Sequence, residues 1–68
     1  MMTDEEARIA AATKLEWIAR LATETHQNLP GTAKGMHTLL IRVVLDVRDA
    51  YEMLRIGSAA EWEVPNHD

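Results

Sequence analysis

The clearest structural signal lies in residues 32–57, which read TAKGMHTLLIRVVLDVRDAYEMLRIG. Apolar residues recur here at alternating spacings of four and three, a pattern that is typical of a helix with one buried side. Thr32 is suited to cap the start of such a helix and Gly57 to end it, so the pattern predicts a helix over about 33–56. The members of the apolar stripe are Met36, Leu40, Val43, Val47, Ala50 and Leu54.

A second long helix is predicted before this one, over about residues 4–28. Thr3 and Glu6 have the spacing of a capping box, and the acidic residues after Thr3 suit the first helical turn. Neither Gly nor Pro interrupts the chain until Pro30, which disfavours helical geometry in the residue before it. The apolar stripe predicted for this helix is Ala7, Ala11, Leu15, Ile18, Ala22 and Leu29.

Two helices of similar length, joined by a short turn at 29–32, predict an all-α antiparallel hairpin. On a helical wheel the apolar residues of the second helix span about 140°, which is more than one neighbouring helix covers. A second copy supplies the missing surface, so we expect two hairpins to pair in a four-helix bundle. The residues expected in the core or the dimer interface are Leu15, Ile18, Met36, Leu40, Val43, Val47, Tyr51 and Leu54.

Size and composition support the expectation of self-association. The chain has 68 residues, of which 47% are hydrophobic and 26% charged, so it is balanced like one globular unit. It contains no cysteine, which excludes disulfides and thiol chemistry, and so short a chain buries only about 60% of its unfolded surface. Residues 58–68 form an acidic C-terminal tail, where Ser58 and Glu61 have capping-box spacing that allows one further helical turn.

Catalytic and cofactor signals are weak, and we predict neither an enzyme nor a cofactor. The one serine, Ser58, occupies a predicted cap position, and the chain has no Gly-rich phosphate loop. No Glu-x-x-His motif occurs for a metal bundle. His26 and His37 flank the turn but lack a third ligand at metal-site spacing, so we interpret them as solvent-accessible histidines at helix ends.

The charge pattern excludes two classes of partner. The formal net charge is −4, and the arginines of the second helix alternate with acidic residues, so we expect no direct nucleic-acid binding. The most apolar stretch, 39–47, is interrupted by Arg42 and Asp46 and falls far short of the roughly 18 apolar residues of a membrane span. The start of the chain does not resemble a secretory signal, so we expect a cytoplasmic protein.

The remaining chemistry favours protein binding. Trp62 lies between two carboxylates in a segment that the hairpin does not need, where it either anchors a partner or folds back onto its own dimer. We interpret the chain as a small, non-catalytic, homodimeric module that regulates or inhibits another protein, such as a phage or mobile-element protein that blocks a host transcription regulator or enzyme. The alternative is a structural subunit of a larger helical assembly, and an antitoxin-like regulator or a small enzyme ranks lower. The partner-binding candidates are Trp17, Ile41, Leu45, Ile56 and Trp62.

Overall fold

The fold is a hairpin of two antiparallel helices, as the sequence predicts. The computed structural model describes residues 2–57, 62, 64 and 65. Helix α1 spans Asp4–Asn28 and helix α2 spans Lys34–Leu54, and within the described residues these two helices are the only regular secondary structure. The hairpin is elongated, with extents of 46 × 21 × 15 Å.

The start of α1 is the capping box that the sequence indicates. The Glu6 backbone N–H donates to Thr3 Oγ1 at 3.1 Å, and the Thr3 N–H donates to Glu6 Oε1 at 3.3 Å. Both hydrogen bonds satisfy amides that a helix leaves unpaired in its first turn. An exposed ion pair between Arg8 and Asp4, at 3.3 Å, lies beside the cap and adds little stability in water.

The start of α2 differs from the sequence prediction, because Thr32 does not cap it. Ala33 is the N-cap residue and makes no side-chain hydrogen bond. The carbonyl of Pro30 organises the turn instead: it accepts the Ala33 N–H at 3.0 Å, and His37 Nε2 donates to it at 3.0 Å. The turn is therefore closed by a backbone carbonyl, and α2 begins one residue later than expected.

The end of α2 is also earlier than predicted, at Leu54 rather than close to Gly57. Arg55 adopts the left-handed conformation, with φ 58° and ψ 30°, and its N–H donates to the carbonyl of Glu52 at 3.1 Å. The chain then passes close to Tyr51, because a Cβ placed on Gly57 would lie 2.9 Å from Tyr51 Oη. This close approach explains why glycine is suited to position 57.

On each helix, the residues that contact the other helix lie beside the apolar stripe that the sequence predicts. The α1 residues that become buried are Ala12, Ala19, Ala22 and His26, and those of α2 are Val44 and Tyr51. Of the α1 stripe only Ala22 is buried, and of the α2 stripe no member is. Small alanines let the two backbones approach closely, so the contact falls on the alanine side of α1 and the larger apolar residues are left beside it.

The residues predicted for the core or dimer interface therefore fall into three groups. Tyr51 is buried in the hairpin, with Ala12 as its neighbour. Ile18 and Met36 are exposed, so neither belongs to the core of a single hairpin. The half-buried members are Leu15, Leu40, Val43, Val47 and Leu54.

One described residue after α2, Trp62, packs back against the hairpin. The Trp62 ring lies 4.7 Å from the Tyr51 ring, centroid to centroid, at an interplanar angle of 56°. Trp62 packs, together with Leu15 and Leu54, against the buried pair of Ala12 and Tyr51, and Pro65 is buried as well. The predicted capping box of Ser58 and Glu61 lies outside the described residues.

Candidate functional site

Large apolar side chains remain exposed on one broad side of the hairpin. Ile18 precedes the buried Ala19 by one position, and Val43 precedes the buried Val44 by one, which is a rotation of about 100° around each helix. When an antiparallel pair is viewed from one end, the residues of one helix advance counterclockwise and those of the other advance clockwise. The two helices also contact each other through opposite sides. These two reversals cancel, so Ile18 and Val43 lie on the same side of the hairpin.

We call this side the front face, and it consists of Ile18, Met36, Leu39 and Val43, with Leu21 at its border with the outer edge of α1. Leu21 is 64% exposed, Leu39 54% and Met36 49%, whereas Val43 is half-buried. Because turn residues close the hairpin near Met36, the five side chains lie along the half of the hairpin that contains the turn. Both helices of this half therefore contribute exposed apolar side chains to the same side of the hairpin.

The total exposed area of the chain measures how much surface is left uncovered. The chain exposes 5178 Å², whereas a folded monomer of 7.7 kDa is expected to expose about 4300 Å². The chain as a whole thus exposes more surface than a compact monomer of its mass, as expected of an elongated molecule.

The opposite side, the back face, has a different character. It consists of Glu16, Thr23, Ile41, Leu45 and Glu52. On each helix these residues are rotated away from the line of helix–helix contact in the direction opposite to that of the front-face residues. Trp62 lies over this side, where it forms one wall of an open cleft of about 490 Å³. The other residues that line the cleft are Glu16, Ala19, Arg20, Thr23, Glu24 and Gln27.

A hydrogen bond between the helices ties the back face together. Tyr51 Oη donates to Glu16 Oε1 at 3.0 Å. This hydrogen bond raises the pKa of Tyr51 above its ordinary value, and burial and the negative charges of Glu16 and Glu52 raise it further. Sequence analysis did not find this pair, because nothing in either helix alone indicates which carboxylate meets the tyrosine.

Trp17 marks a third surface, the outer edge of α1. It is 64% exposed and lines a shallow apolar depression together with Ile18, Arg20, Leu21 and Glu24. The Arg20 guanidinium lies 5.5 Å from the centre of the Trp17 ring, within the range of a cation–π contact. This arrangement leaves one face of a large aromatic side chain available to a partner.

The partner-binding candidates do not converge on one surface. Trp17 is on the outer edge of α1, Leu45 and the half-buried Ile41 are on the back face, and Ile56 is exposed just after α2. Trp62 packs on its own hairpin. Sequence reasoning had not singled out Leu21 and Leu39 for interaction, although each lies one position before a stripe residue, on the side away from the contact line.

The two histidines meet across the turn, and the expectation that both are solvent-accessible is wrong. His26 is only 8% exposed, and its ring lies 4.4 Å from the His37 ring in an edge-to-face arrangement at 80°. The structure supplies no third ligand there: among the described residues, no three His, Cys, Asp or Glu side chains come together as a metal site. The histidine pair thus packs the closed end of the hairpin.

Comparison with other proteins gives no further assignment. No protein-family model, curated protein or solved structure matches the chain. In the described part of the chain, neither helix is long and apolar enough to cross a membrane. The surfaces above are therefore the observations from which a function is argued.

Proposed function

We propose that the chain is a non-catalytic protein-binding module that acts as a homodimer. Two hairpins pair through their front faces in a four-helix bundle, and the surface outside the bundle binds another protein and regulates or inhibits it. The observation that carries the proposal is the front face, to which Ile18, Met36 and Leu39 contribute exposed apolar side chains from both helices.

The composition of the hairpin core supports the dimer. Three of its buried hydrophobic residues are alanines, which bury little area each, and Val44 and Tyr51 are the larger members. A core of this size gives little stability to a short chain without disulfides. Pairing of two front faces removes apolar surface from water at roughly 25 cal/mol per Å², which is the main stabilising term available to the chain.

Trp17 is the residue we propose as the principal contact to the target protein. It lies about 180° from the α1 contact line and stays outside a bundle formed through the front face. Tryptophan is enriched among the residues that dominate binding energy, and the Trp17 side chain is 64% exposed. Trp62 contributes to the fold and not to binding in this proposal, because it covers Tyr51.

The same front face favours one alternative function. A structural subunit of a larger helical assembly uses the front face to pack against helices of a different chain. In that case the isolated chain stays monomeric or aggregates. The mass of the isolated protein therefore separates the two functions.

The test combines mass and binding. Light scattering on the purified chain is expected to give twice the chain mass of 7.7 kDa, and a monomer contradicts the dimer. Affinity capture from a host lysate is then compared for wild type, Trp17→Ala and the control Met53→Ala, which truncates another exposed side chain on the outer edge of α2. We expect Trp17→Ala to weaken capture at least about 30-fold while the control retains it, and equal capture by all three proteins contradicts the role of Trp17.

A further inference from the structure

The open cleft on the back face is bounded by Trp62 on one side and by residues of α1 on the other. Ala19 and Thr23 are the least exposed of these α1 residues, so they form its floor. The Thr23 hydroxyl donates to the Ala19 carbonyl at 2.9 Å, which satisfies this polar group within the helix. The chemistry that the cleft offers to a ligand therefore belongs to the charged residues at its rim.

Three charged side chains line the cleft, namely Glu16, Arg20 and Glu24. Each is four residues from the next, which is the spacing at which opposite charges on a helix pair. Within the described part of the chain, however, Arg20 forms an ion pair with neither glutamate. Its guanidinium lies 5.5 Å from the centre of the Trp17 ring instead. The two carboxylates at the cleft thus lack the ion pair that their spacing from Arg20 would allow.

Both carboxylates keep the capacity to accept further hydrogen bonds. Glu16 accepts the Tyr51 hydroxyl at Oε1, and an ionised carboxylate has about four acceptor positions on its two oxygens. Glu24 is exposed at the other end of the cleft rim. The chain also carries a formal net charge of −4, so the charge of the cleft and that of the whole chain both attract a cationic ligand.

We propose that this cleft binds a basic segment of the target protein, with cationic side chains that pair with Glu24 and Glu16. The inference rests on the protein-binding function proposed above and deepens it, because it names the chemistry of the partner. Arg20 and Glu24 also line the depression that contains Trp17, so a partner that contacts Trp17 lies next to the cleft. Because the cleft belongs to the back face, it stays accessible in a bundle formed through the front face.

The separation of the two carboxylates sets the spacing of the basic residues. Glu16 and Glu24 lie about 12 Å apart along α1, at 1.5 Å per residue. Two residues that are four positions apart in an extended segment are separated by about 13 Å, and their side chains point to the same side. A pentapeptide with arginine at both ends and alanine between them therefore matches the cleft, and arginine pairs with a carboxylate through two parallel hydrogen bonds.

Nuclear magnetic resonance with this capped pentapeptide tests the proposal. The peptide is titrated into the isotope-labelled full chain, and a peptide with glutamine in place of both arginines is the neutral control. The chain has 2 tryptophans, so Trp17→Ala assigns the remaining indole N–H signal to Trp62. Glu24→Gln removes one carboxylate of the cleft, and Glu5→Gln makes the same charge change at an exposed position in the first turn of α1.

We expect the arginine peptide to give saturable shifts at the amides of residues 19–27 and at the Trp62 indole, and the glutamine peptide to give none. Glu24→Gln is expected to weaken the arginine peptide roughly 2- to 5-fold, the range for an exposed ion pair, while Glu5→Gln retains the wild-type affinity. Equal shifts with both peptides, equal weakening by both variants, or the absence of saturable shifts at the cleft overturns the proposal.

Two further measurements separate this proposal from the function on which it rests. Light scattering on the same samples reports the dimer, and affinity capture with Trp17→Ala reports target binding, and neither depends on the cleft. Failure of the peptide titration in a dimeric protein whose capture depends on Trp17 overturns the basic segment alone. A monomer whose capture does not respond to Trp17→Ala overturns the proposed function, whatever the peptide does.

Discussion

The front and back faces of the hairpin share the same two helices but are completed differently. The back face carries Glu16 and Glu52, is closed by the hydrogen bond between Tyr51 and Glu16, and is covered in part by Trp62 from the same chain. The front face carries exposed leucine and methionine side chains, and no residue of the described chain covers them. Among the described residues, Trp62 thus packs on one side of the hairpin and the other side stays exposed.

The difference has a physical cause in the contact line between the helices. Alanine-rich α1 brings α2 close along Ala12 and Ala19, and this line runs at one flank of the broad apolar arc of α2. A helix that contacts one neighbour at the flank of its apolar arc leaves the other flank in water. The uncovered flank, and not a specialised loop, is the surface on which the proposed dimer depends.

A charge on the front face is expected to give the largest effect. Leu39→Glu places a carboxylate in the proposed interface, where an uncompensated buried charge costs roughly 3–5 kcal/mol. We expect the variant to lose the dimer and to melt at a markedly lower temperature, as measured by light scattering and circular dichroism. The matched control is Leu45→Glu, the same substitution at an exposed leucine of the back face of α2.

The two leucine variants must differ for the comparison of faces to stand. Leu45→Glu is expected to keep the dimer mass and most of the melting temperature, since its side chain stays in water. If both variants behave alike, whether both dimeric or both monomeric, the front face has no special role in association.

Removal of the tail contact is expected to give an intermediate effect. Trp62→Ala deletes the ring that packs on Tyr51, so we expect a loss of about 1–2 kcal/mol in the free energy of unfolding. For a domain of this size that loss corresponds to a melting temperature lower by roughly 4–16 °C. The dimer mass is expected to stay unchanged, because Trp62 lies over the back face.

The reverse result with Trp62→Ala is equally informative. A variant that retains its melting temperature but loses binding to the captured target returns Trp62 to the role of a recognition residue. Met53→Ala provides the baseline for truncation of an exposed side chain.

The smallest effect concerns the alkaline titration of the back face. The raised pKa of Tyr51 means that the folded state favours the protonated phenol. The stability that the protonated phenol contributes is fully present below the pKa of about 10 in the unfolded state, and it is lost as the pH rises through the pKa of Tyr51 in the folded state. Tyr51 is the one tyrosine in the sequence, so the absorbance of tyrosinate reports it alone. We expect a midpoint above 10 in the native protein.

Two controls separate the causes of that shift. In denaturant the midpoint is expected to return to about 10. Glu16→Ala removes the hydrogen-bond acceptor and one negative charge, so it is expected to lower the midpoint of the native protein. A native midpoint that does not respond to Glu16→Ala contradicts the interhelical hydrogen bond.

The elements of the fold were largely predictable because local sequence specifies them. Thr3 and Glu6 form a capping box within one helical turn. The ring of Pro30 disfavours helical geometry in the residue before it. The bounds of α1 and the position of the turn therefore follow from a few neighbouring residues. The end of α2 did not follow in this way. It depends on how closely the chain passes Tyr51, which is a tertiary contact.

The candidate site was less predictable, because it depends on where two helices touch. The stripes through Ile18 and Val43 are the most apolar lines, yet the helices meet one position further on, at Ala19 and Val44. On α1 the contact falls on the small Ala19 and not on Ile18, and hydrophobic periodicity does not report residue size. The broad arc of α2 predicts a second neighbour, which stays a prediction, and the place of Trp62 on Tyr51 required the structure.

Methionine oxidation in the wild-type protein tests most directly whether the front face is covered. Met36 lies on the front face and is 49% exposed in the hairpin, whereas Met53 on the outer edge of α2 is 81% exposed. Limited peroxide treatment followed by peptide mass spectrometry compares the two oxidation rates over a range of protein concentrations. The account predicts that Met36 is oxidised at least about 10-fold more slowly than Met53 at high concentration, and that dilution removes this protection as the dimer dissociates. Oxidation of Met36 at nearly the rate of Met53, at every concentration, would contradict the claim that a second copy covers the front face.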